Sequence, residues 1–91
     1  MSQNVLVIGL GEVGRSLFEL LRESGEFAVY GYDVDEEKMR KIGSTDIPKK
    51  VDVMHICYPC SDMERFVKAT VDYVNRFQPR LSIIEGTVPP G

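Results

Sequence analysis

The chain of 91 residues contains no tryptophan, one histidine, two cysteines and no long hydrophobic run. Two cysteines without a secretory signal argue against a disulfide framework. No apolar stretch is long enough to span a bilayer and no signal peptide is present, so we expect a cytoplasmic protein that does not bind membranes. The net charge of −3 gives no general attraction for nucleic acid, and we expect no nucleic-acid partner.

No repeat, low-complexity tract or linker-like stretch interrupts the sequence. A chain of this length, with 43% hydrophobic residues, can bury one modest core. We therefore expect residues 1–91 to form a single domain.

The strongest motif is a glycine-rich segment that directly follows an apolar run at residues 5–8. Residues 9–14 read G-x-G-x-x-G, and a helical pattern follows at once. This order is typical of a buried parallel strand, a tight turn and the first turn of a helix. We expect Gly9 to turn the chain, Gly11 to let a pyrophosphate approach the backbone, and Gly14 to let the helix pack closely on the strand. The alternative is that these glycines only make a tight turn.

An acidic residue, Asp33, lies 19 positions after Gly14, at the end of the second predicted strand. A dinucleotide-binding fingerprint has an acid about 20 residues on, where it accepts hydrogen bonds from the ribose hydroxyls. Its carboxylate would repel a 2′-phosphate, and Val34 and Asp35 follow it rather than a basic or hydroxyl residue. The sequence therefore favours NAD over NADP. Asp35 is better placed than Asp33 to cap the next helix.

Strand and helix patterns alternate along the chain. Apolar, β-favouring runs predict strands over about 5–8, 27–32, 51–58 and 81–85, with a short edge strand around Asp46 and Ile47. The alternation predicts an α/β protein: a Rossmann-type, doubly wound parallel sheet of about four or five strands with helices on both faces.

Three helices are predicted between these strands. The first covers about 12–23, and the second runs from its N-cap Asp35 to near Gly43. The third begins at a capping box formed by Ser61 and Glu64 and ends at Pro79. One apolar face is predicted for it, made of Met63, Phe66, Val67, Thr70, Val71, Val74 and Phe77.

Three segments together resemble the N-terminal NAD-binding domain of the UDP-glucose/GDP-mannose dehydrogenase family, within the 6-phosphogluconate-dehydrogenase-like group. They are residues 7–14, residues 31–38 (G-Y-D-V-D-E-E-K) and residues 85–91 (E-G-T-V-P-P-G). The resemblance covers nearly the whole chain, and T-V-P-P-G is its most specific part. Departures are Cys60 in place of a Thr, Gly86 in place of a Ser, and a short segment before the third strand.

The resemblance implies roles for ten residues around NAD. Gly9, Gly11 and Gly14, with the amides of Glu12 and Val13, would cradle the pyrophosphate. Asp33, followed by Val34, would bind the adenosine ribose. Tyr58 and Pro59 would lie along the cofactor, and Thr87 would approach the nicotinamide.

The family's catalytic residues lie after the T-V-P-P-G segment. We therefore expect this chain to be the cofactor-binding part of a larger dehydrogenase whose C-terminal substrate domain is missing. With that domain absent, its last strand leaves an exposed edge, which predicts a homodimer.

Other interpretations remain open. A stand-alone NAD-sensing module, like the regulatory domains of potassium transport systems, also uses a G-x-G-x-x-G segment and a strand-end acid. Cys57 and Cys60 form a C-x-x-C pair, the spacing of thioredoxin-like redox sites. His55 is expected to be a packed, hydrogen-bonded core histidine. Glu85 is expected either to face the nicotinamide or to bond a backbone amide.

Overall fold

A computed structural model describes residues 3–58 and 62–85 of the chain. Strands and helices alternate as predicted. The elements are β1 (Gln3–Ile8), α1 (Glu12–Ser24), β2 (Phe27–Tyr32), α2 (Glu36–Ile42), β3 (Val53–Ile56), α3 (Met63–Phe77) and β4 (Leu81–Ile84).

The strands form one four-stranded, wholly parallel sheet in the order β2-β1-β3-β4. Ile8, the last residue of β1, lies in register with Tyr32 of β2 and Ile56 of β3. The chain leaves β1 towards one side of the sheet and later returns to its other side. The strand order therefore reverses at the carboxyl ends of β1 and β3, where ligands of doubly wound sheets bind. The predicted α/β fold class is confirmed.

Side chains of β1 alternate between two buried clusters because successive residues of a strand point to opposite faces. Leu6 and Ile8 pack in one cluster, which includes Phe77 of α3. Val7 packs in the other, with Phe18 of α1. The sheet thus has helices on both faces, and β1 lies between them with residues 5–8 at most 2% exposed.

The predicted edge strand around Asp46 and Ile47 is wrong, because the chain is irregular from residue 43 to residue 52. Ile47 instead packs its side chain against the cluster around Leu6. Pro48 follows it and lacks the N–H that a strand would donate. The next strand is also shorter than predicted, at Val53–Ile56.

The start of α3 lies one residue later than the predicted capping box. Asp62 is the N-cap, and its Oδ1 accepts hydrogen bonds from the amides of Glu64 (3.0 Å) and Arg65 (3.3 Å). Ser61 lies outside the described residues. A carboxylate at this position also complements the positive end of the helix.

Only part of the predicted apolar face of α3 packs on the sheet. Phe66, Tyr73 and Phe77 contact the core, and Thr70 is partly buried. Four predicted members of that face are exposed instead, namely Met63, Val67, Val71 and Val74. The aromatic rings bury more apolar area than valines do, which accounts for the orientation of the helix.

Candidate functional site

The turn after β1 is built on Gly9, which has a φ of +93°. A side chain there would be strained, and its Cβ would lie 2.7 Å from the backbone nitrogen of Tyr58. The Gly9 amide donates to the carbonyl of Tyr32 at 2.9 Å. The end of β1 is therefore held between its two neighbouring strands, as the predicted turning role of Gly9 requires.

Gly14, in the first turn of α1, lies against the same turn. A Cβ at this position would be 1.7 Å from the carbonyl oxygen of Gly9 and 3.1 Å from the Cβ of Cys57. Only glycine permits α1 to approach the sheet this closely. The predicted packing role of Gly14 is confirmed.

Gly11 differs from these two glycines because the fold does not require it. It is the N-cap of α1, with φ −74° and ψ −163°, a conformation that any residue adopts. A Cβ there would meet only the Nζ of Lys38, at 4.0 Å, among the described residues. No other described residue lies within 4 Å of this position.

The amides of residues 11–14 form no hydrogen bond to any described residue, and no side chain caps the helix. The preceding residue does not fill the turn, because Leu10 is 2% exposed and its side chain packs with Phe18. Free amides at the positive end of a helix are the groups that bind phosphates in such turns. Glu12 and Val13 contribute two of these amides, and their side chains are exposed.

Asp33 holds the end of β2 next to this turn. Its Oδ2 accepts a hydrogen bond from the amide of Leu10 at 2.6 Å, and its Oδ1 accepts one from the amide of Asp35 at 2.8 Å. No local pattern predicts the bond to Leu10, since it joins residues 23 positions apart. A carboxylate has about four lone-pair sites, so Asp33 can accept further bonds.

Asp35 caps α2, as predicted. Its Oδ1 accepts from the amides of Glu37 at 2.9 Å and Lys38 at 3.3 Å. The cap role thus belongs to Asp35, which leaves Asp33 at the mouth of the site.

A cleft of about 230 Å³ opens beside Asp33 at the carboxyl end of the sheet. Tyr58 reaches it from the end of β3, and its hydroxyl is 2.8 Å from the Oγ1 of Thr70. The residues around the cleft are Ile8, Gly9, Asp33, Val34, Tyr58, Ala69 and Tyr73. The structure therefore brings together Gly9, Asp33, Val34 and Tyr58. Two other predicted site residues, Pro59 and Thr87, lie outside the described residues.

Lys38 and Tyr73 also lie at the site, although no motif in the sequence indicates them. Lys38 lies in the first turn of α2, with Nζ close to Gly11. Tyr73 lies on the sheet-facing side of α3, beside the cleft. Helical spacing indicates that Tyr73 lies on the sheet-facing side of α3, because it is seven residues after Phe66 and four before Phe77.

The pKa of Cys57 does not support the hypothesis of a thioredoxin-like redox site. Burial, and then the nearby Glu85 carboxylate, raise the pKa of this thiol from 9.0 to about 11. A redox-active cysteine of a thioredoxin-like site has a lowered pKa instead. Cys60 lies outside the described residues.

His55 is partly buried, and its Nδ1 lies 2.5 Å from Oε1 of Glu85. The expected hydrogen bond of His55 is confirmed, but the ring is only partly buried and lies outside both core clusters. The side chain of Glu85 contacts this ring, and among the described residues it bonds no backbone amide. Among residues 3–58 and 62–85, no three His, Cys, Asp or Glu side chains form a group that could hold a metal ion.

None of the helices in the described part of the chain has the length and apolar character needed to cross a membrane. Comparisons of the chain with models of protein families, with curated proteins and with solved structures found no match. The resemblance to the dehydrogenase family therefore stays a prediction.

Proposed function

We propose that this chain is an NAD(H)-binding domain of a dehydrogenase that resembles the UDP-glucose/GDP-mannose and 6-phosphogluconate enzymes. The observation that carries the proposal is the contrast at the glycine turn. Gly9 and Gly14 are needed by the fold, whereas a Cβ at Gly11 would meet only Lys38 among the described residues, beside amides that bond none of them. A glycine that the protein does not need for itself is explained by a ligand that approaches the backbone there.

The amides of residues 11–14 would hold the diphosphate, together with the positive end of α1. Lys38 adds a positive charge beside Gly11, and it forms no salt bridge to another described residue. The diphosphate of a dinucleotide carries two negative charges. The positive end of α1 would complement one of them, and the ammonium group of Lys38 would complement the other.

Asp33 would accept hydrogen bonds from the adenosine ribose. Two of its acceptor sites are used by Leu10 and Asp35, and those bonds hold the carboxylate beside the cleft. A 2′-phosphate would bring like charge to the same place, which supports NAD rather than NADP. A bound NAD would supply the hydride acceptor for the carbon that bears the substrate's hydroxyl group, and the residues named above would bind and orient its adenosine diphosphate half.

The experiment is a calorimetric titration of the chain with NADH, NADPH and pyrophosphate. We expect NADH to bind more tightly than NADPH, and pyrophosphate to compete with NADH because both occupy the amides of the turn. Failure of NADH to bind at millimolar concentration would overturn the proposal. A sensing module would bind NADH in the same way. The test that separates it from a dehydrogenase is the coding sequence downstream of Gly91, where a helical substrate domain would support the dehydrogenase.

A further inference from the structure

Three tyrosines cluster under α3 at the carboxyl end of the sheet, and two of their hydroxyls have partners. The Tyr58 hydroxyl bonds Thr70, and the Tyr32 hydroxyl accepts a bond from Nη1 of Arg76 at 3.3 Å. The hydroxyl of Tyr73 forms no hydrogen bond to a described residue. It is not a buried orphan either, because every buried side-chain polar atom of the described residues has a partner. This hydroxyl is therefore open to a ligand.

Tyr73 is held in place by its neighbours. Its ring centroid lies 5.8 Å from that of Tyr32, 5.9 Å from that of Tyr58 and 6.5 Å from that of Phe77. Contacts of this kind stabilise a fixed ring orientation. The side chain is half-buried beside the cleft that also contains Asp33. It therefore offers a preorganised surface to a bound molecule.

The phenol of Tyr73 remains protonated at neutral pH. Burial raises its pKa above the usual value of 10.0, and Tyr32, Tyr58 and Asp33 raise it further, whereas Arg76 lowers it. The hydroxyl is thus available both as a hydrogen-bond donor and as an acceptor.

We propose that Tyr73 is a binding residue for the adenosine half of the dinucleotide, with its ring beside the base and its hydroxyl hydrogen-bonded to the nucleoside. This proposal rests on the proposed function and adds to it a contact between Tyr73 and the adenosine half. Asp33 would take the ribose hydroxyls, and the adjoining cleft would then receive the base. The exposed side chain of Val34 and the small side chain of Ala69 line the same cleft, and they leave room for a flat ring.

The test compares Tyr73→Phe with the wild type, using ADP and pyrophosphate as calorimetric probes. The substitution removes only the hydroxyl. We expect ADP affinity to fall about three- to tenfold, the effect of one lost hydrogen bond, with pyrophosphate affinity unchanged. Thermal unfolding of the variant should match the wild type, because the hydroxyl has no partner among the described residues.

Tyr30→Phe is the matched control. Tyr30 belongs to β2, packs against the same core cluster and does not line the cleft. We expect this variant to bind both probes like the wild type. Equal ADP affinity of Tyr73→Phe and wild type would overturn this inference alone, as would a parallel loss of pyrophosphate affinity. If the wild type binds neither ADP nor NADH, the proposed function fails and the inference fails with it.

Discussion

The Asp33 carboxylate accepts a hydrogen bond from the Leu10 amide at 2.6 Å, which ties the end of β2 to the turn that follows β1. The turn after β1 would bind the diphosphate, and the end of β2 would bind the ribose. The hydrogen bond between Asp33 and Leu10 therefore fixes the positions of these two segments relative to each other. A second bond, from the Asp35 amide, fixes the other carboxylate oxygen. The acid thus has a structural role that is independent of any ligand.

Replacing Asp33 by alanine should therefore lower stability as well as affinity. Both bonds have a charged acceptor, so we expect Asp33→Ala to reduce the free energy of unfolding by about 1–3 kcal/mol in urea titrations. Asp46→Ala is the control, because Asp46 is exposed and its side chain bonds no described residue. A variant at position 33 that is as stable as the wild type would show that the bond to Leu10 contributes nothing.

Gly14→Ala should be among the most destabilising single substitutions in α1. The added methyl group would lie 1.7 Å from the Gly9 carbonyl oxygen, so the backbone itself must move. We expect a loss of at least about 3 kcal/mol, measured by chemical denaturation.

Gly25→Asn is the comparison for that variant. Gly25 has a φ of +70° but no atom near its Cβ position, and asparagine tolerates this conformation. It should cost less than about 1 kcal/mol. Equal effects at positions 14 and 25 would contradict the close approach of α1 to the sheet.

The two sides of α3 should respond differently to substitution. Phe77 is 4% exposed and belongs to the core, so Phe77→Ala should cost about 3–5 kcal/mol. Val71 is 51% exposed, so Val71→Ser should change the unfolding free energy by no more than about 0.5 kcal/mol. Denaturant titration of both variants checks the orientation of the helix. A large loss of unfolding free energy in Val71→Ser would show that this side of α3 is covered.

The expected homodimer stays a prediction, which light scattering of the wild-type protein tests.

The raised pKa of Cys57 has a consequence for both reactivity and stability. In a Cys60→Ser variant, iodoacetamide should alkylate the folded protein more slowly than a free thiol at pH 8, because the thiolate is the reactive form. The thiol is protonated in the folded state up to about pH 11 but loses its proton near pH 9.0 when unfolded. Between these values the folded state binds more protons, so its stability should fall as the pH rises. Alkylation at the rate of a free thiol would contradict this assignment.

Much of the fold could be predicted because its signals are local. The apolar run at residues 5–8 leads directly into Gly9, which permits the turn that the strand requires. Asp35 could be recognised as a cap because the helix begins at the next residue. The central position of β1 is that of the doubly wound fold, which the glycine-rich segment after this strand indicates.

The features that could not be predicted depend on contacts between distant parts of the chain, which the spacing of apolar residues does not indicate. Valines and aromatic residues both count as apolar on α3, and only packing against the sheet decides that Tyr73 faces inward and Val71 outward. Ser61 and Asp62 are adjacent residues of the capping type; the S-x-x-E spacing favours Ser61, whereas the N-cap is Asp62. The bond between Asp33 and Leu10 exists only once β1 and β2 are paired.

Gly11→Ser provides the most direct test of the central claim. Serine is a preferred N-cap and meets no clash at this position, so the free energy of unfolding should stay the same or rise by a few tenths of a kcal/mol. Its side chain would occupy the approach to the free amides, so NADH affinity, measured by calorimetry, should fall at least about tenfold. A variant that is equally stable and binds NADH as tightly as the wild type would contradict the assignment of this turn to a diphosphate.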